Sequence, residues 1–354
     1  MNIDECLSEA HAQCAKDLYL DFDGFVVQFK TNSVPLLREL EDYYKHFLAD
    51  GAAAVDQLVL GLQTDAALVP DGDWQVKQPD PGKTKIKEHL LLMDDDKVVR
   101  KVLTGVHLFF IGQTRVCAGP LEANPNQVVN FINNMHLDCL LADQGQLFHA
   151  SGVCSDGTGL GMAGQSGKGK STLALRLLQQ GMDLVSNDRL VVTEGDAALN
   201  MYGIAKYPRI NPGTVIHQPE LVSMVKPEDM ARYQALDSDQ LWELEEKYDA
   251  FVEPAFGSKF KLCATMKMFV ILNWDRHLSE PPELTRANPA DHPQLVETVM
   301  KSPGVMLPRS ARRIGEATVV PYIELLEHCD LYVLSGGVDF DLAASNIRQI
   351  LAKM

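Results

Sequence analysis

The sequence predicts an α/β protein in two parts, a smaller α+β domain over residues 1–143 and an α/β domain over residues 144–354. Three observations predict it. From Gln146 the chain runs strand, turn, strand, glycine-rich loop, helix, strand (QLFHASGV, Ser155–Gly157, LGMAG, GQSGKGKS, STLALRLLQQ, DLVSNDRLVV), the order of an α/β domain. Before residue 143 short β-like runs are interleaved with two helices and show no such alternation. The 354 residues, 46% of them hydrophobic and 23% charged, supply enough apolar material for more than one core.

In the first part, LYLDF and FVVQF flank Asp23-Gly24, a hairpin signal because both residues tolerate positive φ. The stretch NSVPLLRELEDYYKHFL reads as a helix: Asn32 or Ser33 can cap it and Pro35 suits its first turn. Leu36, Leu37, Leu40, Tyr44, Phe47 and Leu48 recur at helical spacing along it. Short strands follow near Gln57–Leu62, Val98–Leu103 and His107–Gly112, with a turn at Thr104-Gly105, and a helix covers about Asn126–Leu141. In the second part, acid-rich residues 220–253 read as helical, with Leu236, Leu241, Leu244 and Tyr248 available for packing. A solvated surface helix is the plain reading of that segment and a lid the functional one. The chain closes with CDLYVLSGG and a helix near Leu342–Lys353.

Charge and cysteine usage exclude several classes. With 32 Lys+Arg against 48 Asp+Glu the formal charge is −16, which repels nucleic-acid backbones and anionic membranes. Any anion must therefore be held by a local site. No run approaches the ~18 apolar residues of a membrane span, and the polar start MNIDECLSEAHAQCAKD has no leader-like apolar stretch. The expectation is a cytoplasmic protein. Seven cysteines, an odd number without a C-x-x-C pair, predict reduced thiols and neither a disulfide framework nor structural zinc.

Residues 164–171, Gly-Gln-Ser-Gly-Lys-Gly-Lys-Ser, match G-x-x-x-x-G-K-[ST], the Walker A phosphate loop. Gly164, Gly167 and Gly169 let the backbone turn so that the N–H groups from Gln165, Ser166 and Lys168 onward face a phosphate. Lys170 supplies a cation for the β- and γ-phosphates, and the Ser171 hydroxyl is placed to bind Mg²⁺. The helix that begins at Ser171 and Thr172 directs its positive end at the same anion. The cofactors expected are ATP and Mg²⁺. Gly159, Gly161 and Gly164 also spell a dinucleotide fingerprint, with Asp188 at a suitable distance, but they lie within a strand where the fingerprint needs a strand's end.

Seventeen positions separate Ser171 from Asp188, enough for one helix and one strand. In a parallel βαβ unit both strand ends open on one edge, so Asp188 returns to the phosphates. It then takes a proton from an attacking hydroxyl or helps hold the metal; the plain alternative is a strand-end Asp fixing a turn. His149 ends the run QLF, and a hairpin turning at Ser155–Gly159 brings it beside LGMAG. On its own, such a histidine is more often structural than catalytic.

On His149 with the Gly-Val hairpin after it, GQSGKGKS and LVSND, the chain resembles the HPr kinase/phosphorylase family, most closely its HprK-related kinases of type B. The resemblance spans roughly residues 146–192. It implies a phosphate-loop kinase domain in which His149 assists catalysis, Lys170 binds the nucleotide phosphates and Asp188 acts as base toward a serine-type hydroxyl. Three departures stand out. Asn187 replaces the first Asp of the family's V-A-D-D, which argues against reverse phosphorolysis. The metal-binding Glu of E-x-R-G has no counterpart; near its place stands Lys206-Tyr-Pro-Arg209-Ile-Asn-Pro-Gly213. The P-V-x-P-G-R-N loop is replaced by the basic stretches Lys301-Ser-Pro-Gly and Pro308-Arg-Ser-Ala-Arg-Arg313. Arg209 and Lys301 are the candidates for gripping a substrate anion, with ordinary ion pairs as the alternative.

The leading expectation is an ATP- and Mg²⁺-dependent kinase acting on a hydroxyl of a protein serine or a small molecule, with no nucleic-acid or membrane partner. Self-association as a homo-oligomer is compatible with it. A non-catalytic ATP-binding switch is the second reading, and a carboxykinase-like enzyme comes last because no second cluster of His, Lys and Asp stands out for Mn²⁺.

Overall fold

The computed structural model describes residues 3–51, 54–65, 69–79, 84–142, 145–196, 198–216, 218–237, 240–241, 244, 246–307 and 318–354. It is a mixed α/β protein built on two large sheets. The chain divides into two compact units, Met1–Ala142 with Pro303–Ile314, and Asp143–Ser302 with Gly315–Met354. A purely linear division into residues 1–143 and 144–354 does not anticipate the return of the segment after Ser302 to the first unit. The basic stretch Pro308–Arg313 lies outside the described residues.

The first unit comprises α1 (Ile3–Gln13), β1 (Lys16–Phe22), β2 (Phe25–Thr31), α2 (Val34–Tyr43), β3 (Leu48–Ala49), β4 (Gln57–Gln63), β5 (Trp74–Val76), β6 (Glu88–Met93), β7 (Asp96–Lys101), β8 (His107–Ile111), β9 (Thr114–Gly119) and α3 (Pro125–Ala142). Its strands form one mixed sheet in the order β3-β1-β2-β4-β9-β8-β7-β6-β5. The β1–β2 hairpin turns at Asp23 (φ 53°) and Gly24 (φ 100°), and Phe22 faces Phe25 across the turn. Period-two burial of Leu18, Leu20 and Phe22 puts one face of β1 in the core.

Two expectations for this unit need correction. The helix after Asn32 is capped by Ser33, whose Oγ accepts from the Leu36 N–H at 3.1 Å, but it stops at Tyr43. Tyr44 is fully buried and donates its hydroxyl to the Val129 carbonyl at 3.2 Å; beyond it, Leu48 pairs with β1 as a strand. Helical spacing of apolar residues persisted past the point where tertiary packing ended the helix. The helix α1 and the strands β5, β6 and β9 were not anticipated, because their sequences are polar, short or weakly alternating.

The second unit comprises β10 (Gln146–Phe148), β11 (Ala150–Ser155), β12 (Thr158–Gly164), α4 (Lys170–Gln179), β13 (Asp183–Ser186), β14 (Leu190–Glu194), β15 (Leu199–Tyr202), β16 (Arg209–Ile210), α5 (Pro212–Ile216), α6 (Pro227–Gln234), β17 (Tyr248–Asp249), β18 (Cys263–Leu272), β19 (Glu283–Arg286) and β20 (Asp330–Ser335), with further helices at Val252–Phe256, Val320–Leu326 and Phe340–Leu351. The main sheet runs β10-β14-β15-β18-β12-β11-β13, with β20 on β18 and β19 on β20. The helix α4 buries Leu173, Ala174, Leu175, Leu177 and Leu178 and packs on β11 and β12. A core including Phe148, Val185, Leu190, Phe269 and Tyr322 contributes about 1.5–3 kcal/mol for each large apolar side chain removed from water.

Here too the structure corrects the sequence reading. The run DLVSNDRLVV is not one strand: Asn187–Arg189 separate β13 from β14. The strands β12 and β13 are not neighbours either, because β11 lies between them and is antiparallel to both. Two reversals leave β12 and β13 parallel, so their C-terminal ends still open on the same edge. Residues 220–253 are not one helix. Pro219 and Pro227 open separate short helical turns, and Tyr248 is a strand residue paired with Ile210. Part of the acid-rich run (238–239, 242–243 and 245) lies outside the described residues.

No disulfide is formed. Cys6, Cys14, Cys117 and Cys154 are buried thiols, while Cys139 and Cys263 are exposed. No helix among the described residues is long and apolar enough to cross a membrane.

Candidate functional site

The loop from Gly164 to Lys170 leaves the C-terminal end of β12 and enters α4. Gly167 (φ 83°) and Gly169 (φ 84°) sit in the left-handed region that side chains other than glycine's seldom occupy, which lets the chain reverse in so few residues. The loop is held from behind. Lys168 Nζ donates to the Trp274 carbonyl at 2.8 Å, and Trp274 Nε1 donates to the Lys168 carbonyl at 2.8 Å. Trp274 is fully buried and meets Phe340 edge-on at 5.0 Å. Lys168 is thus tied down as a strut, while Gln165, Ser166 and Gly167 are exposed at the mouth.

Lys170 Nζ folds over the loop and donates to the carbonyls of Gly164 at 2.7 Å and Gln165 at 3.4 Å. Burial lowers its pKa, with Asp188 opposing and Lys301 adding to the shift, so the three groups lie within electrostatic reach. Ser171 is half-buried in the first turn of α4. Thr172, expected with the loop, instead places its hydroxyl 3.2 Å from that of Thr214 in α5. The fingerprint glycines Gly159 and Gly161 lie inside β12, where a Cβ would strike Met201 and Phe269. They permit sheet packing and make no turn.

The turn Asn187–Arg189 is fixed by two hydroxyls. Ser151 donates to the Asn187 carbonyl at 2.6 Å, and Ser186 donates to the Arg189 carbonyl at 2.5 Å. The turn projects Asp188, whose side chain is 56% exposed, toward two partners. His149 Nε2 lies 3.2 Å from Asp188 Oδ1, and Lys301 Nζ donates to Oδ2 at 2.6 Å. Burial pushes the Asp188 carboxyl up, but the His149 hydrogen bond and the Lys301 ammonium outweigh it and hold the group well below the usual carboxylate range.

His149 is placed by the backbone on both sides. Its N–H donates to the Val299 carbonyl at 2.6 Å, and Phe148 bridges Met300. Tyr322 reinforces the join by donating its hydroxyl to the Leu147 carbonyl at 2.9 Å. The same contacts deliver Lys301. Of the sequence candidates, Lys170, Asp188, His149 and Lys301 come together. Arg209 sits on β16 with its Nε 3.4 Å from Asp249 Oδ1. Sequence reasoning did not single out Arg189 or Lys206 as site residues, nor the direct pairing of Lys301 with Asp188. The two polar stretches S-N-D-R and K-Y-P-R were the available signal for the first two; nothing local signalled the third, across 113 positions.

The oxygen groups that could hold a divalent cation beside the loop are the Ser171 hydroxyl and the Asp188 carboxylate. No group of three His, Cys, Asp or Glu side chains able to hold a metal occurs among the described residues. This set suits Mg²⁺, which binds through one or two protein oxygens and keeps phosphate and water ligands, better than a metal needing a full protein cage.

No protein-family model matches the sequence. No curated protein matches it either. Among solved structures, the Hpr(Ser) kinase/phosphatase from Coxiella burnetii is similar at 14% identity and a TM-score of 0.30, covering 59% of this chain and 98% of that one. An overlay this loose carries no argument about activity.

Proposed function

We propose that this protein is an ATP- and Mg²⁺-dependent kinase that phosphorylates a hydroxyl group. The observation that carries the reading is the convergence, on one sheet edge, of the 164–171 glycine loop with its lysine and the Asp188–His149–Lys301 cluster. The loop N–H groups and the N-terminus of α4 cradle the phosphates, and Lys170 exchanges its loop carbonyls for phosphate oxygens. Mg²⁺, held by Ser171 and Asp188 together with the nucleotide, would neutralise phosphate charge.

In the proposed transfer the acceptor oxygen bonds to the γ-phosphorus and the bond to the β,γ-bridging oxygen breaks. ADP leaves with that electron pair, and the hydroxyl proton passes to Asp188. Because Lys301 and His149 keep Asp188 anionic and weakly basic, its main task is to orient the hydroxyl. That is sufficient for phosphoryl transfer, where positioning and charge stabilisation dominate. Lys301 lies beside the same carboxylate, where it offers positive charge to the transferring group. The acceptor is a protein serine or a small-molecule alcohol.

The test is Lys170→Ala. At an ATP concentration of about a hundred times Kd, wild type gains about 2.7 kcal/mol and its melting temperature rises. The variant, folded but without the loop ammonium, loses most of that rise. An ATP-induced shift equal to that of wild type rejects the reading. A non-catalytic nucleotide switch is the second reading, and both Asp188 oxygens being already bonded favours it.

A further inference from the structure

A further group of cations lies beside Asp188, on elements the phosphate-binding loop does not use. Gly203, just after β15, is pressed onto β13 so closely that a Cβ would lie 1.7 Å from the Val185 carbonyl oxygen. Its N–H donates to the Leu262 carbonyl at 2.8 Å. These contacts anchor the loop 203–208 against the strand that leads into the Asp188 turn. Lys206 on that loop lies within electrostatic reach of Arg189, Arg209, Asp188 and Asp249. Arg189 follows Asp188 in the turn, and Arg209 is presented from β16 by its contact with Asp249 across the β16–β17 pair.

Three cations from two segments, the 187–189 turn and residues 206–209, thus gather beside one another, with Arg189 and Lys206 in reach of the proposed hydroxyl-orienting carboxylate. Burial pushes the Lys206 ammonium down to about 8, with Arg189 and Arg209 adding to the shift and Asp188 and Asp249 opposing it. Lys170 and Lys301 already serve the nucleotide and Asp188. In a chain of net charge −16, such local crowding of positive charge suits an anionic ligand that relieves it. A phosphate dianion matches several cations better than a single carboxylate does, and guanidinium groups bind its oxygens two at a time.

We propose that Arg189, Lys206 and Arg209 form an acceptor-side phosphate subsite, so that the hydroxyl substrate is itself a phosphate monoester. Its existing phosphate sits on the three cations while its free hydroxyl faces Asp188. This assignment rests on the kinase reading above and names the substrate class for it.

The experiment fills the nucleotide site with Mg²⁺ and a non-hydrolysable ATP analogue, then titrates inorganic phosphate by calorimetry. Wild type binds one phosphate with the analogue in place. Lys206→Met weakens that phosphate about ten- to a hundred-fold, the loss of one charge-assisted contact, and leaves analogue affinity unchanged. Lys206→Arg keeps the phosphate. Arg209→Gln, at an exposed position, weakens it in the same sense with an unaltered melting temperature. Absence of phosphate binding to the analogue-loaded wild type overturns the subsite, as does wild-type phosphate affinity in both Lys206→Met and Arg209→Gln. If the analogue itself does not bind, the kinase reading fails separately. The same titration in nucleotide-free Lys170→Ala then decides the subsite: phosphate binding that depends on Lys206 supports it, and binding indifferent to Lys206 overturns it.

Discussion

Asp188→Asn separates catalysis from stability and from nucleotide binding. The substitution keeps the shape of the side chain, removes its negative charge and its capacity to take a proton, and leaves the turn bonds from Ser151 and Ser186 intact. The Asp188 side chain is 56% exposed and its partner Lys301 is 20% exposed, so solvent screens the pair. Breaking such a pair changes stability by about 0–1 kcal/mol, which lowers the melting temperature of a unit of this size by at most roughly 4 °C. Affinity for ATP measured without Mg²⁺ changes by less than about tenfold, since the glycine loop and Lys170 are untouched. Turnover, by contrast, falls about a hundred- to ten-thousand-fold, equivalent to roughly 3–5 kcal/mol of barrier. The assay uses γ-labelled ATP with a cell extract split into protein and metabolite fractions, followed by saturation kinetics on the acceptor so found. Full turnover by the variant would remove Asp188 from the chemistry. Firm ATP binding by wild type without transfer to any acceptor would refute the kinase and leave the switch.

The other expectations are narrower. His149→Ala slows phosphoryl transfer while ATP affinity holds, measured by single-turnover kinetics beside calorimetry; normal specific activity in the folded fraction would return His149 to a structural role. Gly203→Ala destabilises the protein by more than about 2 kcal/mol in denaturant unfolding, because a methyl group cannot occupy space 1.7 Å from a backbone oxygen without moving β13; an unchanged midpoint would show that the loop yields freely. Phosphate binding to the analogue-loaded protein weakens as pH rises through about 8, where Lys206 loses its proton, and the fall disappears in Lys206→Arg. For stability the sign is opposite: the lysine is lowered on folding, so the unfolded chain binds more protons between about 8 and the ordinary lysine value near 10.4. Lys206 therefore makes stability rise with pH across that window. A flat phosphate affinity between pH 7 and 9 contradicts the assignment.

What the sequence determined by itself was local. The hairpin at Asp23-Gly24 was legible because two adjacent residues had to adopt positive φ. The loop at Gly164–Ser171 was legible because glycine spacing, lysine and hydroxyl all serve one geometry within eight consecutive residues. The return of Asp188 to the loop followed from the seventeen-residue spacing and the parallel βαβ reading, and it survived the finding that β11 separates β12 from β13, since two antiparallel steps restore the direction. Tertiary structure decided the rest. Lys301 reaches Asp188 only because the segment before it docks on β10, through the Val299 carbonyl, the Met300 bridge and the Tyr322 hydroxyl. Lys206 acquires its setting from Gly203 lying flat on β13, a contact with no sequence periodicity to announce it. Turns and loops are encoded in the dihedral preferences of neighbouring residues. The charge a carboxylate meets is set by which distant strands share a sheet, and that is an outcome of packing the whole core.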